Sequence, residues 1–155
     1  MITSKRIITL VLTIAALAST QSFAEVANGM ARVKSAHSVT ATIDKLEAVL
    51  RKKGMTIFKR VTHSEAGAKV GIEIRDTELL IFGNPKIGTK LMQCGQTAAM
   101  DLPMKGLAYK DESGQVWLAY NDPQYIANRH HVDGCNKVIG KMSTALANFS
   151  KAATQ

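Results

Sequence analysis

The chain has 155 residues and carries 20 Lys and Arg against 12 Asp and Glu, for a formal charge of +8. That length suits one domain able to bury a core without metal or many cross-links. Only 5% of residues are aromatic, and none are interleaved with the basic residues as base stacking requires, which argues against nucleic acid and toward anionic surfaces or small anions.

The first element read along the chain is a secretory signal peptide over residues 1–24. Lys5 and Arg6 open it, residues 7–18 are apolar apart from Thr9 and Thr13, and Ser22 and Ala24 supply the small residues that precede a cut. The apolar run is much shorter than the roughly 20 residues needed to span a bilayer. Cleavage after Ala24 leaves 131 residues with a net charge of +6, since Lys5 and Arg6 account for two positive charges. The mature protein, residues 25–155, is therefore expected to be one exported domain, periplasmic or secreted, without a membrane span. No cysteine follows the apolar run closely enough to take a lipid.

Alternating elements follow. Residues 33–36 end a first strand, and Val39, Ile43, Leu46 and Leu50 recur at helical spacing between a Ser38 cap and Gly54. Residues 55–61 read as a strand, 64–70 as a short helical turn, and 78–82 as an apolar strand. Thr89 is a candidate cap for a helix over residues 90–99, weakened by Gly95. Residues 106–110 and 115–119 flank Asp111-Glu112-Ser113-Gly114, a hairpin signal. Asp122-Pro123 reads as a helix cap followed by proline at the first helical position. A final helix over residues 135–151 puts Val138, Met142, Leu146 and Phe149 on one stripe. The ends, 25–29 and 151–155, are expected to be loose. The fold class expected is α+β: a two-layer sandwich of β-α-β-β-β-β-α type, one mostly antiparallel sheet of about five strands with helices on one face.

Residues 77–85, Thr-Glu-Leu-Leu-Ile-Phe-Gly-Asn-Pro, and 117–123, Trp-Leu-Ala-Tyr-Asn-Asp-Pro, bracket Gly88-Thr89, Leu91-Met92-Gln93 and Asp101-Leu102-Pro103. In this order the motifs resemble the domain-of-unknown-function family 302, a small α+β domain found mainly in prokaryotes. The resemblance runs from about residue 30 to about residue 150. It implies the same fold and no particular reaction. Gly83-Asn84-Pro85, Asp101-Leu102-Pro103, Lys105, Tyr120-Asn121-Asp122-Pro123 and Arg129-His130 occupy the family's motif positions.

In a meander, the strand ending at Phe82, the one starting near Lys105 and the one ending at Ala119 bring Asn84, Lys105 and Tyr120-Asn121 to one sheet edge. Strands about 4.8 Å apart would let a small ligand touch all three points. Helix starts at Asn84 and Asp122, with Lys86, Lys105 and Arg129 nearby in sequence, would suit an anion; turn and cap chemistry alone also accounts for Asn84 and Asp122. The candidate ligand-binding set is Asn84, Lys105, Tyr120, Asn121, Asp122, Arg129, His130 and His63. Thr62 stands where the resembling family often has Asp before His63, which removes the carboxylate that would orient the imidazole as a base.

His130 and His131 point about 100° apart on a helix and have no third ligand at a familiar spacing, so no metal is expected. No haem-attachment or nucleophile-elbow motif is present, and no cofactor is expected. Cys94 and Cys135 form a disulfide on the expectation for an exported protein, the rival being a reactive Cys94 near His130. The function expected is exported, non-catalytic binding of a small polar or anionic ligand. The alternatives are an enzyme using Lys105 or Tyr120 as acid or base with Asn84 and Asn121 as oxyanion donors, or a protein-interaction module.

Overall fold

A computed structural model describes residues 25–155. The expected signal peptide, residues 1–24, lies outside the described residues. Six strands form one sheet: β1 (Glu25–Ala27), β2 (Met30–Ser35), β3 (Thr56–Thr62), β4 (Thr77–Gly83), β5 (Met104–Lys110) and β6 (Val116–Asn121). Their order is β1-β2-β6-β5-β4-β3, and every neighbouring pair is antiparallel. Among the described residues there are also five α-helices: α1 (Val39–Lys52), α2 (His63–Ala68), α3 (Pro85–Cys94), α4 (Pro123–Arg129) and α5 (Asn136–Thr154). This is the expected α+β sandwich, with short β1 as an additional strand.

Alternation along the strands splits the sheet into two faces. Ala31, Val33, Leu80, Phe82, Met104, Ala108, Leu118 and Tyr120 are buried on one face, against Ile43, Leu46 and Leu50 of α1 and Ile139, Met142, Leu146 and Phe149 of α5. Gly106 sits where α1 comes closest, since a Cβ there would lie 2.7 Å from Leu46 Cδ2. The other face carries Arg32, Lys34, Lys105, Leu107, Tyr109 and Trp117, with the Arg32 guanidinium 4.7 Å and the Lys34 ammonium 5.5 Å from the Trp117 ring centre.

Ser38 caps α1 as expected, its hydroxyl accepting from Ala41 N at 3.2 Å, and Gly54 takes a positive φ of 69° just beyond the end. The strand expected to end within residues 33–36 does so at Ser35, its pairing with β6 running from Met30↔Asn121 to Ser35↔Val116. Three expectations shift. Thr89 caps nothing: Asn84 is the cap, Pro85 fills the first turn, and the helix ends at Cys94 before a 3₁₀ turn over Gln96–Met100. On α5, Ile139 rather than Val138 joins the buried stripe. The two ends are not loose. The β1 strand pairs with β2, and Thr154 O accepts from Ala36 N at 2.9 Å while Ala153 and Thr154 are buried.

The β5–β6 hairpin turns on one carboxylate. Asp111 Oδ1 accepts from the Ser113 hydroxyl and from Ser113 N and Gln115 N, and Oδ2 accepts from Trp117 Nε1 at 2.7 Å. The Ser113 hydroxyl, followed by the Trp117 indole, lowers the Asp111 carboxyl from 3.8 to about 2. A pKa depressed in the folded state gives stability that is full above the unfolded value and is lost as pH falls through the folded one. Urea unfolding of wild-type protein should therefore weaken between pH 3.8 and about 2 through this group. Asp111→Asn should remove that part of the slope, and an identical slope in the variant would contradict the assignment.

Candidate functional site

The expected sheet edge exists as backbone. Ile81 pairs with Lys105, Thr56 with Gly83 and Met30 with Asn121, so the end of β4, the start of β5 and the end of β6 share one end of the sheet. The side chains do not converge. The register Leu107↔Ala119 sets Lys105 and Asn121 on the face turned away from α1 and α5, and Tyr120 on the opposite face. Tyr120 is 8% exposed. Burial raises its phenol pKa, and its hydroxyl hydrogen-bonds Ser150. It is a core residue, and the expected cluster of Asn84, Lys105, Tyr120 and Asn121 in one cleft is not formed.

The two helix starts are also spent. At α3, Pro85 has no N–H, Asn84 Oδ1 accepts from Lys86 N at 3.0 Å, and Asn84 O accepts from Ile87 N and Gly88 N. At α4, Pro123 lacks an N–H, Asp122 Oδ1 accepts from Gln124 N and Tyr125 N, and Asp122 O accepts from Ile126 N. Neither start offers an N–H to an anion, and Asp122 would repel one. His63 lies exposed at the start of α2, at the other end of the sheet, where Thr62 pairs with Glu78. The sequence pattern does not bring it near Asn84.

Three motif residues instead meet at Asp101. His130 Nε2 lies 2.8 Å and Arg129 Nη1 3.4 Å from Asp101 Oδ2, and Lys105 Nζ donates to Asp101 O at 3.2 Å. His130 Nδ1 is 3.1 Å from the hydroxyl of exposed Thr97. A hydroxyl, an imidazole and a carboxylate in a row can activate a nucleophile, but here Arg129 also holds the carboxylate, and none of these residues lines the cavity between α3 and α5. The hub pins the chain immediately before Leu102 and Pro103.

Leu102 and Pro103 form one wall of a cavity of about 440 Å³. Pro85, Ile87, Gly88, Thr89 and Met92 of α3 face Met142, Ala145, Leu146 and Phe149 of α5 across it, with Met55, Phe58, Phe82 and Met104 closing the sheet side. Asn84, Thr89 and Lys141 are its polar lining residues, and no acidic residue lines it. Asn84 is thus the one member of the expected set on the cavity. The Cys94–Cys135 disulfide, with Cα atoms 6.2 Å apart, ties the end of α3 to the residue before α5 and so joins two opposing walls. Among the described residues no group of three His, Cys, Asp or Glu could hold a metal ion.

Helical periodicity placed Met142 on the α5 stripe, and no sequence pattern singled out Met55, Phe58, Met104 or Lys141. The structure, not the sequence, marks the apolar pair on α3. Ile87 and Met92 remain partly exposed while Leu91 is fully buried, so the helix has more apolar surface than the core absorbs.

The family described as "Domain of unknown function DUF302" matches residues 31–149. The crystal structure of an uncharacterized conserved DUF302 protein from Bacillus stearothermophilus is similar in fold, with a TM-score of 0.74, 16% identity, and coverage of 83% of this chain and 100% of that one. Two curated relatives, each named "Fluoride-specific ion channel FluC 1", come from Brucella suis biovar 1 (strain 1330) and Brucella abortus biovar 1 (strain 9-941). Both are 42% identical over 127 residues, which is 81% of this chain and 50% and 47% of theirs. The chain thus spans about half the length of the curated relatives it matches.

Proposed function

The chain belongs to the DUF302 family, and from that membership, which assigns no reaction, we propose that it is an exported, non-catalytic binding protein for a small apolar molecule. The observation that supports this most is the cavity between α3 and α5. Its volume, about 440 Å³, falls within the roughly 300–1,000 Å³ of small-molecule sites. Four methionines, Met55, Met92, Met104 and Met142, line it, and their unbranched, polarizable side chains adapt to irregular apolar shapes. The ligand class therefore moves from the polar or anionic one expected at the sheet edge to an apolar one. Tyr120, offered above as an acid or base, is buried away from the cavity, and Lys105 does not line it. Export is supported by the disulfide, which oxidising compartments maintain, together with the expected signal peptide.

Ion conduction is not part of this reading. Among the described residues no helix is long and apolar enough to cross a membrane, and the relatives carrying the channel name are about twice as long as the matched segment. An apolar cavity is also a poor host for a small hydrated anion such as fluoride, whose desolvation it would not offset. A second reading, an interaction module, draws on the sheet face turned away from α1 and α5, where Arg32 and Lys34 lie over Trp117.

Calorimetric titration with 1-alkanols of increasing length tests the proposal. Affinity should rise about fourfold per added methylene, the equivalent of about 0.8 kcal/mol, until the cavity is full, and then level off. Absence of binding, or affinity independent of length, would overturn it.

A further inference from the structure

We infer that the cavity's ligand is an amphipath whose single anionic group is held by Lys141, a step that rests on the proposed binding of an apolar molecule. Lys141 is the one charged residue among those lining the cavity. It lies on α5 next to Met142, and one turn before Ala145, both of which face the cavity. Its side chain is exposed, so the stem borders apolar lining while the ammonium meets water at the mouth. Lys137, four residues earlier, stands one turn away toward the same side of α5 and is exposed too.

No acid competes for that ammonium. The lining set contains no Asp or Glu, and among the described residues the ion pairs involve Arg51, Arg60, Arg75, Lys110, Arg129 and His130, not Lys141. An apolar tail filling the cavity would bring its polar end to this mouth, because an unpaired polar group inside would cost free energy. A negative end gains from the ammonium there, a neutral end gains little, and a positive end is repelled. Medium-chain fatty acids are the simplest molecules with this chemistry, and phosphate monoesters of the same chain length share it.

The test compares decanoate, decyl phosphate, decanol and decylamine by calorimetry on the wild-type protein and on Lys141→Met, which keeps the apolar stem and removes the charge. At neutral pH and low salt, wild-type protein should bind the two anions about five- to tenfold more tightly than decanol, as expected for a charge-assisted contact at a solvent-exposed mouth. The preference should narrow at high salt. Lys141→Met should abolish the preference, read as the ratio of decanoate to decanol affinity within the variant, and its thermal unfolding should match wild type. Equal binding of decanoate and decanol, or an anion preference that survives in Lys141→Met, would overturn the inference while leaving apolar binding intact. Failure of all four to bind would overturn the proposed function itself. A preference for only one anion would keep the inference and identify the head group.

Discussion

Reducing the Cys94–Cys135 bridge should lower the unfolding free energy by on the order of 4 kcal/mol, the chain-entropy cost of freeing a loop of this length. The two residues are 41 apart in sequence. Between them lie the 3₁₀ turn, β5, β6 and α4, so the cross-link constrains a large part of the unfolded chain. In the folded state it fastens the end of α3 to the start of α5, the helices on either side of the cavity. Reduction should therefore also weaken alkanol binding before it unfolds the domain. Urea unfolding with and without reductant, repeated on a Cys94→Ala, Cys135→Ala double variant, provides the measurement. A difference below about 1 kcal/mol, well under the usual range for native bridges, would show that the loop gains little from closure.

Asp101→Ala should cost about 2–4 kcal/mol, because it strips a nearly buried imidazole and a guanidinium of their shared acceptor. The side chains of Asp101 and His130 are 10% and 8% exposed, so water cannot fully replace the lost contact for His130, whereas Arg129, at 51%, can turn to solvent. Asp101→Asn, which keeps the shape and one hydrogen bond, should cost less than half as much. Since Leu102 and Pro103 follow directly and wall the cavity, the Ala variant should also lose alkanol affinity. Equal stability of wild type and Asp101→Ala in urea would show that the motif residues gathered there do not hold the fold.

The contrast between local and nonlocal signals explains what the sequence made legible. Ser38, Gly54 and Asp122-Pro123 were readable because caps and stops depend on neighbours a few residues away. Asn84-Pro85 was readable as a strand exit into a turn or helix start, but Thr89 offered a rival local cap signal, and only Asn84's bond to Lys86 N decides between them. The edge shared by Gly83, Lys105 and Asn121 followed from antiparallel order alone. That Lys105 and Tyr120 point to opposite faces depends on the Leu107↔Ala119 register, which is set by how many residues the Asp111 turn consumes. Its one-residue ambiguity flips every side chain. The Asp101 motif looked like a site because its residue types are chemical. The structure uses them to hold one another.

The cavity was the least legible feature. A void arises when α3 and α5 stand apart and Ile87, Met92, Met142 and Phe149 fail to fill the space between them, a property of three-dimensional spacing that no periodicity encodes. Gly88 marks the same space. A Cβ there would meet only Leu102 Cδ1, at 3.8 Å, so the helix wall is bare at that point.

The most direct test of the account is a methyl NMR titration of protein labelled at its methionine methyl groups, with decanol as the probe. Met55, Met92, Met104 and Met142 line the cavity, while Met30 and Met100 are exposed elsewhere and serve as internal controls. The account predicts saturable shifts at the four cavity methyls, none at Met30 or Met100, and loss of the response in Gly88→Leu, whose side chain would occupy the space. Shifts at the exposed methyls alone, or a response unchanged in Gly88→Leu, would contradict it.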